Sequence, residues 1–256
     1  MSERVQVLDH GYIEKVEHWG SDERIIESAR MSTGKGFFGW GPLHAKTCSQ
    51  NEPGTSKAVH AEACCDGGPG DEKLLKFLWD NKHATPFEMA GLTIEVQAPI
   101  FVFREWHRHR VPFGYSEMSA RYTPLPDMNY IPTVERLLIN SKTNKQAGTV
   151  AGAGELNGAG AELFRMALVK SYTAAEALYQ EALRAGVPKE LARIHLPVGR
   201  YSRMRATANL RGWLGFLALR MAPGAQYEIR MYANEVSNII QQTFPRTHAL
   251  FVGGMT

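Results

Sequence analysis

The chain has 256 residues, 44% of them hydrophobic and 21% charged, and a formal net charge of +3. That is the balance of an ordinary soluble globular protein with a substantial core, and so mild a basicity suits small anionic ligands better than a dedicated nucleic-acid surface. No apolar run reaches the roughly 18 residues that a membrane helix needs.

The N-terminal ten residues carry charges and no apolar stretch, so they do not read as a secretory signal. Residues 5–16 alternate loosely and predict a short strand. The segment 22–30, D-E-R-I-I-E-S-A-R, starts with acids and predicts a helix entered near Ser21. Residues 34–70 are rich in Gly and Pro and contain all three cysteines, Cys48, Cys64 and Cys65. They read as a long loop or insertion, and an odd cysteine count argues against a disulfide framework and for a reducing cytoplasm. His44, Cys48, His60, Cys64 and Cys65 are metal-ligand types, but they lack the usual C-x2-4-C pair of a zinc site. Unligated cysteines, and no metal, are the expectation.

Leu74, Leu75, Leu78 and Trp79 recur at helical spacing after an acidic start, predicting an amphipathic helix over 71–82. Pro86 then biases Thr85 away from helix. Residues 92–97 alternate with period two, predicting a half-buried strand. After Pro99 the apolar run 100–103 leads into the next, basic stretch, which reads as a loop launched from packed structure. Prolines force turns in 123–132, and 141–160 reads as a second mobile loop. The longest helix is expected over 161–185, with one apolar stripe including Leu163, Phe164, Leu168, Tyr172, Leu178 and Tyr179. Gly186 is placed to cap it and Pro188 to stop it resuming. Further helices are expected over 189–194, 209–220 and 226–244, the last stopped by Pro245. No repeat or linker divides the chain, so a single α/β domain over 1–256 is predicted.

The stretch 104–122, R-E-W-H-R-H-R-V-P-F-G-Y-S-E-M-S-A-R-Y, holds four arginines and two histidines interleaved with aromatic side chains. Guanidinium forks suit phosphate, aromatic faces suit planar rings, and Ser and Glu suit polar edges. Composition alone equally fits a solvated basic loop or a patch for RNA.

Several blocks, in order, together resemble the flavin-dependent thymidylate synthases. The signature of that family is R-H-R, seven residues, then Ser, usually continuing x-R-Y. Its two ends match Arg108-His109-Arg110 and Ser119-Ala120-Arg121-Tyr122. Also similar are H-A-T-P-F-E at 83–88, A-R-I-H-L-P at 192–197, N-L-R at 209–211 running into F-L-A-L-R at 216–220, and A-Q-Y-E-I-R at 225–230. The resemblance implies a central, mainly antiparallel sheet flanked by helices, assembled as a homotetramer with FAD and nucleotide where subunits meet. It assigns Thr85, Glu88, Arg108, His109, Arg110, Asn209 and Arg211 to FAD. It assigns Arg108, Glu117, Ser119, Ala120, Arg121 and Arg193 to the nucleotide, and places Arg220 against the pyrimidine as the catalytic cation.

The implied reaction is C5 methylation of a uridine monophosphate, dUMP to dTMP, with FAD as hydride relay. Methylenetetrahydrofolate and NADPH are the co-substrates, and neither nucleic acid nor membrane is a partner. Between Arg110 and Ser119, however, stand eight residues rather than seven. The family's Ser three after the second arginine is missing, Ser116 replaces an Asn before Glu117, and Gly215 stands where relatives carry His or Asn. An insertion inside the signature should reshape the pocket around ring and sugar. The same chemistry on UMP, or C5 hydroxymethylation, is therefore an alternative, with Tyr115 or Ser116 as a partner for a sugar hydroxyl. A different class of reading is a non-catalytic nucleotide- or RNA-binding protein.

Overall fold

The computed structural model describes residues 4–41, 70–141 and 144–254. His44, Cys48, His60, Cys64 and Cys65 lie outside the described residues. Among the described residues the chain forms β1 (Val5–Val7), β2 (Gly11–Trp19), α1 (Asp22–Arg30), α2 (Glu72–Asp80), β3 (Gly91–Pro99), α3 (Ile100–Trp106) and β4 (Gly114–Glu117). Then follow α4 (Val134–Leu138), α5 (Gly158–Arg184), α6 (Lys189–Ala192), β5 (Tyr201–Asn209), α7 (Leu210–Arg220), α8 (Tyr227–Thr243) and α9 (Pro245–Gly253). No described helix is long and apolar enough to cross a membrane.

The strands form one sheet in the order β1-β2-β3-β5-β4. β1 pairs antiparallel with β2, and β4 antiparallel with β5 in the register Gly114–Thr207 to Glu117–Met204. β3 and β5 also run in opposite directions: Thr93 bonds Thr207, Glu95 accepts from Arg205, and Ile100 N donates to Arg200 O. β3 is buried along eight of its nine residues, not half-buried as its alternation suggests. A strand in mid-sheet is covered on both faces, so its polar positions need internal partners. Gln97 donates to His10 O, and Glu95 accepts from Tyr12 Oη.

By compactness the chain divides into a first unit of residues 1–17, 93–207 and 216–236 and a second of 18–92, 208–215 and 237–256. The division falls inside β2, β3, β5, α7 and α8 rather than at a linker. In the first unit Trp106, Phe103, Phe216 and Tyr232 are fully buried, with Trp106 stacked on Phe216 at 4.8 Å. Gly11 is needed there because a Cβ would meet Tyr232 Oη at 1.9 Å and Val7 O at 2.6 Å. Buried Arg200, just ahead of β5, is tied to α5 through an ion pair with Glu176, and its second guanidinium nitrogen donates to Leu125 O at 3.0 Å. In the second unit Ile25, Ile26, Leu75, Leu78 and Phe87 are buried, and Trp213 Nε1 donates to Leu92 O.

The caps explain the helix starts. Ser21 Oγ accepts from Arg24 N ahead of α1, and Asn157 Oδ1 accepts from Gly160 N ahead of α5. Past the end of α5, Gly186 takes φ +83°. The apolar run 100–103 is helical, and α3 carries it through Arg104 to Trp106, so the basic stretch expected as a loop begins on a helix. α8 stops at Thr243, just ahead of Pro245 as expected, and Pro245 then opens a further helix, α9, in its first turn, where its missing N–H costs nothing. Strands β4 and β5 and the short helix α4 were not anticipated.

Candidate active site

In the first unit α3 ends at Trp106 and releases His107, Arg108, His109 and Arg110. Trp106 is core, so it offers no face to a ligand. Arg108 and Arg110 are exposed, and among the described residues no carboxylate pairs with either. His109 is held between the rings of Phe216 and Phe113, with centroids 4.9 and 6.0 Å away. Its Nε2 accepts from Arg220 Nε at 2.9 Å. Burial first, and then the charge of Arg220, push His109 down to about 4, against partial opposition from Glu105. The ring is therefore neutral at physiological pH, with its proton on Nδ1 because Nε2 is the acceptor.

Arg220, the last residue of α7, also pairs with the Glu105 carboxylate and donates to Glu105 O at 2.8 Å. Its side chain is only 16% exposed. Glu105 is a site residue that sequence reasoning missed. Its signal was its place one turn before His109, in the run R-E-W-H-R-H-R.

The turn after Arg110 closes with Phe113 N donating to Arg110 O, and contains a cis bond at Val111–Pro112. Phe113 stacks on Tyr115 at 5.6 Å. Tyr115 Oη donates to His109 O at 2.7 Å and lies 3.1 Å from Trp106 O, so the hydroxyl anticipated for a sugar is engaged by backbone. Ser116 stands opposite Arg205, whereas Glu117 stands opposite Met204 on the other face of the strand.

Glu117, Ala120 and Arg193 line one cavity of about 340 Å³ with Ser202, Glu190, Leu125 and Leu196 among the other walls. Burial raises the Glu117 carboxyl above the usual range, with Ser202 and His107 opposing. His107 Nε2 lies 3.9 Å from Glu117 Oε2 and 3.2 Å from Met204 Sδ. Arg121 pairs with Glu190, one of the cavity residues, at 3.4 Å, and its backbone N–H donates to Ser119 Oγ. No acidic side chain pairs with Arg193 among the described residues, which leaves its guanidinium for an anion.

The remaining expected residues lie in the second unit. Thr85 opens a 3₁₀ turn that ends at Glu88, and Glu88 pairs with Arg211 at 2.5 Å. Asn209 Oδ1 accepts from Gly212 N, so this side chain caps the start of α7. Each unit by itself carries donors of the kind an FAD takes: in the first, exposed Arg108 and Arg110 suit a pyrophosphate, and in the second, the partly exposed Glu88–Arg211 pair offers both an acceptor and a fork.

A sequence profile described as thymidylate synthase complementing protein matches residues 15–246. The flavin-dependent thymidylate synthase of Anaplasma marginale is 34% identical over 252 residues, 98% of this chain and 75% of that protein. The enzyme of the same name from Thermosipho africanus is 33% identical over 247 residues, 96% of this chain and 93% of that one. Among solved structures, a UMP/dUMP methylase, PolB from Streptomyces cacaoi, bound with 5-Br UMP, superposes with a TM-score of 0.73 at 27% identity. That match covers 98% of this chain and 97% of the other. The structure bound with 5-Br dUMP gives 0.72 at 28%, covering 97% of each chain.

Proposed function

Since the chain belongs to the flavin-dependent thymidylate synthase family, we propose that it is an FAD-dependent enzyme that methylates C5 of a uridine 5′-monophosphate. The observation that carries this reading is the single cavity that gathers Arg193, Ala120 and Glu117, three of the residues assigned by resemblance to the nucleotide. The substrate of the thymidylate-forming reaction is dUMP, giving dTMP. Methylenetetrahydrofolate supplies the carbon and NADPH the electrons. UMP is a second substrate, favoured by the extra residue in the signature and by the likeness to a UMP/dUMP methylase. The unpaired guanidinium of Arg193 and the amide of Ala120 receive the phosphate, and Arg121 on Ser119 closes the cradle.

A bound FAD supplies the hydride that completes the methyl group. Arg108, Arg110 and Arg211 are the cations for its phosphates, with Thr85, Glu88, His109 and Asn209 beside it. Arg108 also reaches the nucleotide. Arg220, always protonated, offsets negative charge that develops on the pyrimidine ring. His109 stays neutral beside it, so two fixed cations never face each other. As in the family, the working assembly is a homotetramer. The exposed apolar side chains of α5, Leu163, Phe164, Met166, Val169 and Leu178, are the surface for it.

The test offers the FAD-loaded, reduced protein equal dUMP and UMP with methylenetetrahydrofolate and reads product masses. A gain of one methyl on either nucleotide is expected. A product heavier by a further oxygen replaces methylation with hydroxymethylation, and no product with flavin still bound overturns the reading.

A further inference from the structure

Ser202 is only partly accounted for by the contacts above. Its residue is completely buried, and its hydroxyl, close enough to oppose the rise of the Glu117 carboxyl, makes no hydrogen bond of good geometry among the described residues, yet it lines the cavity shared by Glu117, Ala120 and Arg193. A buried hydroxyl is normally satisfied, so an open one on a cavity wall marks a place for a ligand's polar atom. The sheet explains its position. Glu117 lies opposite Met204, and Ser202, two residues along β5, is the diagonal neighbour on the same face. The same face carries the contact of His107 with Met204.

We propose that Ser202 is a specificity-determining residue that takes a ribose hydroxyl of the nucleotide, so that UMP is held more tightly than dUMP. This rests on the reading of the cavity as the nucleotide site. Charge orders the ligand within it. A phosphate dianion goes to Arg193 and the Ala120 amide and away from the Glu117 carboxylate. The sugar, whose hydroxyls are donors, then falls to Glu117. A carboxylate and a neighbouring hydroxyl on one sheet face match the adjacent 2′ and 3′ hydroxyls of ribose. Deoxyribose provides only one of these, and Ser202 is left with the Glu117 carboxyl alone. A site built to bond a hydroxyl rejects the analogue that lacks it, because its own polar group is left unpaired. Neither side chain of the inserted segment competes for the role. Tyr115 Oη is engaged by His109 O and Trp106 O, and Ser116 sits across from Arg205 on the opposite face.

The experiment is calorimetric titration of the FAD-loaded protein with UMP and with dUMP, for the wild type, Ser202→Ala and Ser202→Cys. Expected is a preference for UMP of about tenfold, the worth of one net hydrogen bond. Ser202→Ala should weaken UMP about tenfold and leave dUMP within about twofold, and Ser202→Cys, of similar shape but a weaker donor, should fall between. An unchanged UMP/dUMP ratio in Ser202→Ala, or an equal loss for both nucleotides, would leave Ser202 a packing residue and overturn the proposal. If the wild type binds neither nucleotide, the reading of the cavity fails and the proposal falls with it. That result is distinct from binding without discrimination.

Discussion

Arg220 donates from all three guanidinium nitrogens within the chain, to His109 Nε2, to the Glu105 carboxylate and to the Glu105 carbonyl. Such a fork is oriented before any ligand arrives, which is the condition for stabilising charge without reorganisation. Arg220→Lys keeps the charge and loses the fork, and should lower kcat by about 10²–10³ with KM changed far less. Glu105→Gln should lower kcat about tenfold, and steady-state kinetics on both nucleotides checks each value. His109 gives a pH signature. Unfolded, it takes up a proton near 6.5; folded, it refuses one until about 4. Stability should therefore be highest above about 6.5 and fall as the pH drops towards 4, because the unfolded chain binds the extra proton. Thermal midpoints across that range should show the fall, and His109→Gln should flatten part of it. His248, also lowered by burial, supplies a further part. The cationic character of 104–122 was legible in the sequence. The restraint on Arg220 was not, since it joins residues more than a hundred positions apart.

At the scale of elements, local signals were read well and long-range ones poorly. The cap at Ser21 and the glycine at 186 announce the start of α1 and the end of α5, since each acts within a turn of its own helix, whereas Asn157, which caps α5 at Gly158, reads in the sequence as part of a loop. β5 reads Y-S-R-M-R-A-T-A-N, and its small and charged residues hide a strand whose even positions 202–208 are buried. Its identity comes from its neighbours β3 and β4, not from its own propensity. α9 was hidden in the same way: its start is held by Asp22, far away in sequence, which accepts from Arg246 N, Thr247 N and Thr247 Oγ1 at 2.8, 3.2 and 2.6 Å. Asp22→Ala strips three donors of a buried partner and should cost about 2 kcal/mol of stability, measurable by urea denaturation.

At the scale of the molecule, α5 presents its apolar stripe outward. Leu163 is 67% exposed and Leu178 52%, while Tyr179 and Ala161 are the buried residues of this helix. The periodicity revealed an apolar face but not what covers it, because one chain's sequence does not distinguish its own core from a neighbour's surface. In the proposed tetramer that face is covered. Phe164→Glu should then shift the protein to smaller species in sedimentation velocity and lower its melting temperature in a concentration-dependent way. An assembly whose size is unchanged by the substitution would refute the assignment of this surface.

The pairing of β4 with β5 also sets a rule of parity on the length of the signature. Successive strand residues point to opposite faces, so one residue added between Gly114 and Glu117 would exchange Glu117 for Ser116 on the cavity side. The pairing from Gly114 to Glu117 is unbroken, so the surplus residue between Arg110 and Ser119 does not interrupt it, and the turn ahead of it is closed by Phe113 N and Arg110 O. Length changes before Gly114 alter the shape of a turn and leave the strand parity in place. Single-residue changes after it invert the reading head, and only changes by two would restore it.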